Sequence, residues 1–193
     1  MIEIRSVAVF CGAQPGKDPV YREAAAALGR GLARAGMTLV FGGGSIGLMG
    51  AVADAVLGSG GRVVGVIPDF LERREIAFSA SSELVVTDSM HSRKRRMFDE
   101  ADAFVSLPGG LGTLDETIEI ITWRQLGLHD KPILLCDVAG SAAPLLGMIE
   151  AAIAAGFAQA DVRRLFEVVD GVEPLLARLQ TLTAAQAAVS ARL

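Results

Sequence analysis

Apolar residues fall along the chain in short unbroken blocks rather than in single alternation. Residues 4–11, 37–41, 62–67, 83–87, 102–107, 132–136 and 165–169 are runs rich in Val, Ile, Leu, Phe and Ala. Such runs predict strands, several of them buried on both faces. The segments between them carry helical spacing. Asp18-Pro19 opens the first helix with proline at its first position, and Gly36 stops it. Further helices are predicted over 48–57, from an Asp88 or Ser89 cap to about 100, and over 117–126, 141–155 and 172–182. Residues 68–82 form a longer polar connection. Strands alternating with helices along the whole length predict an α/β fold: a single-domain, Rossmann-like, doubly wound parallel sheet of about seven strands with helices on both faces. Residues 1–182 make this nucleotide-binding domain, and 183–193 an Ala-rich C-terminal tail expected to fray. Ligands of such sheets bind beyond the carboxyl ends of the strands, where strand order reverses. The turns after Cys11, Phe41 and Leu107 all fall at that edge.

Composition narrows the partners. A chain of 193 residues with 51% hydrophobic and 21% charged residues suits one domain with a sizeable core. The net charge of −4 gives no basic footprint, which argues against nucleic acid. No apolar run spans a bilayer and no targeting segment is visible, so the expected location is the cytoplasm, with no membrane partner. Cys11 and Cys136 each end an apolar run and read as buried, reduced thiols. Two histidines make a histidine-rich metal site improbable, and neither metal nor organic cofactor is expected.

The chemistry concentrates after the fifth strand, in Pro108-Gly109-Gly110-Leu111-Gly112-Thr113-Leu114-Asp115-Glu116. Glycines let a ligand approach the backbone closely. A following helix offers free N–H groups and the positive end of its dipole, which suits a phosphate. Glu116 is not needed to bind phosphate and fits better as a group acting on the rest of the ligand, although acidic residues also favour helix N-termini in general. Gly42-x-Gly44-x-x-Gly47 formally matches a dinucleotide fingerprint, and neither turn has the Gly-Lys-Ser/Thr of a nucleoside-triphosphate loop.

Two helices flank that turn. In the helix from Met90 to Met97, the residues Met90, Arg93, Lys94 and Met97 share one face, so two cations travel with an apolar stripe and need partners. Arg93 is either a structural ion pair with Glu116 or, with Lys94, a contact to a phosphorylated ligand that also orients Glu116. In the helix after the turn, Leu114, Ile118 and Ile121 are expected on the sheet side. Glu116, Glu119, Ile120 and Trp123 are expected on the other, against a second subunit or a neighbouring helix of the same chain.

Met90-His91-x-Arg93-Lys94 followed by Pro108-Gly109-Gly110-x-Gly112-Thr113-x-x-Glu116 resembles the paired motifs of the LONELY GUY family, cytokinin riboside 5′-monophosphate phosphoribohydrolases once widely labelled lysine decarboxylases. The resemblance extends over Phe10-Cys11-Gly12, Gly42 to Gly50, and Ile121-Thr122-Trp123 through Pro132. It implies hydrolysis of the N-glycosidic bond of an adenine-type nucleoside 5′-monophosphate. It implies Arg93 and Glu116 as the catalytic pair and Gly110, Leu111, Gly112 and Thr113 at the phosphate. Lys94, Glu75 and Thr122 are also expected at the ligand, with Gly12, Gly43, Gly44 and Met90 as additional candidates. A homodimer with the site near the subunit interface is expected. One departure stands out: Ala13-Gln14 follows Cys-Gly where members commonly carry two serines, which bears on substrate preference more than on reaction type. Two other readings stay open from the residues. One is a nucleotide-binding carrier or sensor without catalysis. The other is a dinucleotide-dependent oxidoreductase using Gly42 to Gly47, with Asp69 as its acidic partner.

Overall fold

The computed structural model describes residues 4–72, 77–78 and 80–190, with side chains as far as 182. Seven strands, β1 (Ser6–Phe10), β2 (Thr38–Phe41), β3 (Val63–Pro68), β4 (Glu83–Thr87), β5 (Ala103–Ser106), β6 (Ile133–Asp137) and β7 (Glu167–Asp170), form one sheet in the order β4-β3-β2-β1-β5-β6-β7. Every pairing is parallel. The predicted strands are therefore all present, within a residue or two of their expected ends.

The side-chain period of two divides each strand between two cores. Val7, Val9 and Cys11 face one side, where α1 (Pro19–Arg34), α2 (Gly47–Gly58) and α7 (Val172–Ser190) pack through Leu28, Leu32, Val52, Val56, Leu175 and Leu179. Ala8 and Phe10 face the other side. There α4 (Met90–Glu100), α5 (Leu111–Gln125) and α6 (Ala143–Ala154) contribute Met97, Ile120, Ile121 and Leu145. Asp18 caps α1 by accepting the Val20 N–H at 3.0 Å, with Pro19 at the first helical position.

Three elements differ from the sequence pattern. α5 begins at Leu111, not Thr117, so the glycine turn is shorter than expected and Gly112 to Glu116 are already helical. Its phase also differs. Ile120 is buried in the core, whereas Ile118 is exposed on the side away from the sheet. Leu114 and Ile121 pack on the core side as expected, but they are joined there by Thr113, Thr117 and Ile120, because two threonines take positions that a hydrophobicity count leaves empty. The 68–82 connection contains a one-turn helix α3 (Asp69–Glu72) and a buried anchor, Phe78, whose N–H donates to the Gly43 carbonyl at 2.9 Å. Finally, α7 continues to Ser190, through the segment expected to fray.

Candidate active site

Strand order reverses between β1 and β5, and their two turns meet at that point. The ladder continues past the strands: the Leu107 N–H donates to the Phe10 carbonyl at 2.9 Å and the Gly12 N–H to the Pro108 carbonyl at 3.1 Å. Gly109 packs so close to Thr113 that a side chain there would overlap its hydroxyl. α5 starts at once, with Gly110 as its N-cap and no capping side chain. Its first N–H groups have no acceptor within the helix, and they carry the positive end of the dipole. Above them opens a cleft of about 690 Å³, bounded by Gly12, Gly110 to Thr113, Met90, Arg93 and Glu116.

Arg93 and Glu116 form one buried pair. Ser89 caps α4 reciprocally with Ser92, which fixes the helix so that Arg93 points at the sheet. Arg93 Nη1 donates to Glu116 Oε1 at 2.7 Å and Nε donates to the Val66 carbonyl at 3.1 Å. Both residues are only 8% exposed, and both line the cleft. The guanidinium passes directly over Gly42, where a β-carbon would overlap Nη2. Burial raises the Glu116 pKa above its ordinary value of 4.5, outweighing the charge and hydrogen bond of Arg93 that pull it down. Cys11 also borders the cleft, yet burial and the nearby Glu116 charge push its thiol far up and leave it neutral.

A buried polar brace fixes α5 on β5. The Thr117 hydroxyl donates to the Thr113 carbonyl at 2.6 Å and lies 2.7 Å from the Ser106 hydroxyl. Ser106, Thr117, Gly42 and the Val66 carbonyl thus set the position of the Arg93–Glu116 pair; of these only Gly42 was expected near the site from sequence, as part of a glycine turn and not as the seat of Arg93. Buried hydroxyls leave no periodic trace, and a carbonyl contact leaves no trace of residue type.

Other predicted residues sit elsewhere. Lys94 does not line the cleft; its ammonium is 3.2 Å from Asp115 and 3.1 Å from Glu119. Thr122 is exposed on α5, with its hydroxyl donating to the Ile118 carbonyl. Trp123 packs edge-on against Phe98 of α4, the same-chain alternative for that face. Gly43 and Gly44 lie behind the cleft wall, holding Phe78 and bridging Ala77. Glu75 falls outside the described residues. The second glycine turn is already occupied: the N–H groups of Leu48 and Met49 at the start of α2 donate to the Gly12 carbonyl, at 2.9 and 3.4 Å. Gly47 is packed on the Ala13 backbone with φ +64°. The helix start a pyrophosphate would need is therefore closed by the chain itself. Among the described residues no group of His, Cys, Asp and Glu could hold a metal ion.

Comparison with known proteins gives the family and the fold. Residues 49–179 match the family described as possible lysine decarboxylase. The chain is 46% identical to the rice protein named probable cytokinin riboside 5′-monophosphate phosphoribohydrolase LOGL5, over 91% of this chain and 72% of that one. It is 44% identical to the Arabidopsis thaliana cytokinin riboside 5′-monophosphate phosphoribohydrolase LOG7, over 91% of this chain and 81% of that one. The molybdenum cofactor carrier protein from Chlamydomonas reinhardtii shares the fold, with a TM-score of 0.71 over 94% of this chain and 99% of that one, at 20% identity. A family match over more than half the chain, joined to these identities across most of its length, places the chain in the LONELY GUY family, that of the cytokinin riboside 5′-monophosphate phosphoribohydrolases.

Proposed function

We propose that this protein hydrolyses the N-glycosidic bond of a cytokinin riboside 5′-monophosphate or of AMP, releasing the free base and ribose 5-phosphate. The observation that carries this reading is the buried Glu116–Arg93 pair placed beside an uncapped helix N-terminus in one cleft. The 5′-phosphate is seated on the N–H groups of Leu111, Gly112 and Thr113, with Gly110 admitting its close approach. That anchor spends remote binding energy on holding the ribose against Glu116. Departure of the base builds positive charge on the sugar, which the Glu116 carboxylate stabilises. The C1′–N bond breaks with its electrons leaving on the base. Water supplies the new C1′–O bond and Glu116 takes a water proton; the base takes up a proton from solvent as it leaves, and Glu116 returns its own to solvent, which restores the carboxylate. Arg93 holds one Glu116 oxygen, so the other faces the sugar.

The lysine decarboxylase description fits the residues poorly. A pyridoxal group needs a lysine to hold it as a Schiff base. Among the described residues no lysine lines the cleft, and Lys94 is committed to two carboxylates. A non-catalytic carrier has no use for a buried carboxylate aimed into its ligand site. The protein works as a homodimer in the cytoplasm, where its two buried unpaired thiols stay reduced. Thr122 lies outside its own cleft and reaches a ligand only across such an interface.

A product assay over a panel of nucleoside monophosphates tests the reaction. Free base and ribose 5-phosphate should appear in equal amounts. Glu116→Gln should lose at least ~100-fold in turnover while still binding AMP, the usual scale for a general base. Near wild-type turnover in that variant refutes the mechanism.

A further inference from the structure

Lys94 and Asp115 form a contact that the reaction described above leaves without a role. Asp115 borders the cleft, in the second turn of the helix whose start is the proposed phosphate seat. Its side chain is 58% exposed. A carboxylate there repels an incoming phosphate, and it lies beyond the first turn in which acidic residues gain from the helix dipole. Lys94 approaches it from behind. Its ammonium lies between Asp115 Oδ2 and Glu119 Oε1, half-buried between α4 and α5 and away from the cleft lining. Glu119 lies one turn further from the helix start and holds the ammonium in place.

Building on the phosphoribohydrolase reading, we infer that Lys94 is a positioning counter-ion: held by Glu119, it screens Asp115 so that the wall beside the α5 N-terminus accepts a 5′-phosphate, without touching the phosphate itself. The same charges reach Glu116. Arg93 and Lys94 on α4 and Asp115 on α5 all face it, with Cys11 below. Lys94 favours its ionised form and Asp115 disfavours it.

The test is a double-mutant cycle read by AMP calorimetry and by the kcat and KM of AMP cleavage. Lys94→Met should weaken AMP about ten-fold, the scale of one unit charge several ångströms from a phosphate in a partly aqueous site. In an Asp115→Asn background the same change should cost no more than about two-fold, because nothing is left to screen. Asp115→Asn alone should tighten AMP. Lys94→Met should leave adenosine binding unmoved, and should shift the acid limb of kcat/KM upward in pH, with Asp115→Asn returning it. A full ten-fold loss that persists beside Asp115→Asn means Lys94 grips the phosphate directly and overturns the inference. So does unchanged AMP binding in Lys94→Met. Should Lys94→Met not accumulate folded, Lys94→Gln is read the same way. Asp115→Asn stands alone as a further arm: unchanged or weaker AMP binding there also overturns the proposal. A wild type that neither binds nor cleaves AMP sinks the reaction itself, whereas one that does both without suppression sinks only the role given to Lys94.

Discussion

Glu116 is a carboxylate whose two demands oppose each other. In the proposed reaction it must be ionised to act on the sugar, and its burial favours the proton. Its native pKa lies above 4.5, so the active form grows as pH rises. A pH profile of kcat/KM should therefore show an acid limb whose inflection lies above that value. Arg93→Met removes the cation that pulls the pKa down, and residual activity should show the inflection moved further up. A limb at or below 4.5 in the wild type contradicts the assignment of Glu116 as base. Gly42 matters at the same scale. A methyl group there displaces the Arg93 guanidinium from above β2, so Gly42→Ala should lose on the order of 100-fold in kcat/KM, as misplaced catalytic groups do. Unaltered kinetics in that variant would show that Arg93 has room elsewhere. Arg93 and Glu116 were readable as a pair from residue type and helical phase. Gly42 was readable only as one glycine among several, because its contact is with a side chain 51 residues away in sequence.

α5 is the element on which the site depends, and it is held by two different means. Its inner face packs Ile120 and Ile121 into the core, and Thr117 ties it to Ser106 at the end of β5. Thr117→Val keeps the shape and strands the Ser106 hydroxyl in a buried place, which should cost about 1–3 kcal/mol. Denaturant midpoints for both proteins check this, and an unchanged midpoint would mean that Ser106 finds another acceptor. The sequence pattern placed this helix correctly between β5 and β6 but mistook its start and its phase. Glycine at 110 and 112 suggested an extended turn. In the structure Gly110 is the N-cap and Gly112 sits within the first turn, where its low helix propensity is overridden by the packing of Thr113 and Thr117. Ile118 was assigned to the sheet side because it is apolar, while the sheet side belongs in part to threonines that satisfy each other.

At the scale of the whole molecule, one group of solvent-exposed apolar residues lies next to the cleft. Leu111 and Ile118 lie exposed on α5, and Leu126, its C-cap residue, and Leu128 follow them. Such a stripe beside a cleft fits the proposed homodimer better than a free surface. Sedimentation equilibrium should report a dimer at micromolar concentration, and Ile118→Arg should shift it to monomer with loss of activity. A wild type that sediments only as monomer refutes the dimer. No helix among the described residues is long and apolar enough to cross a membrane.

The order of strands and helices, the glycine turn at the β5 edge and the identity of the acidic and basic pair were determined by the sequence alone, because they rest on local periodicity and on residue types with few other uses. Which glycine turn is open to a ligand was decided only in three dimensions. Both turns are rich in glycine and lead into a helix, yet the Gly12 carbonyl closes the start of α2 while no side chain caps α5. The partner of Lys94 was settled the same way: its charge is local, but the carboxylates that hold it arrive on another helix. Such contacts join residues far apart in the chain, and a linear pattern carries no record of distances that only folding creates.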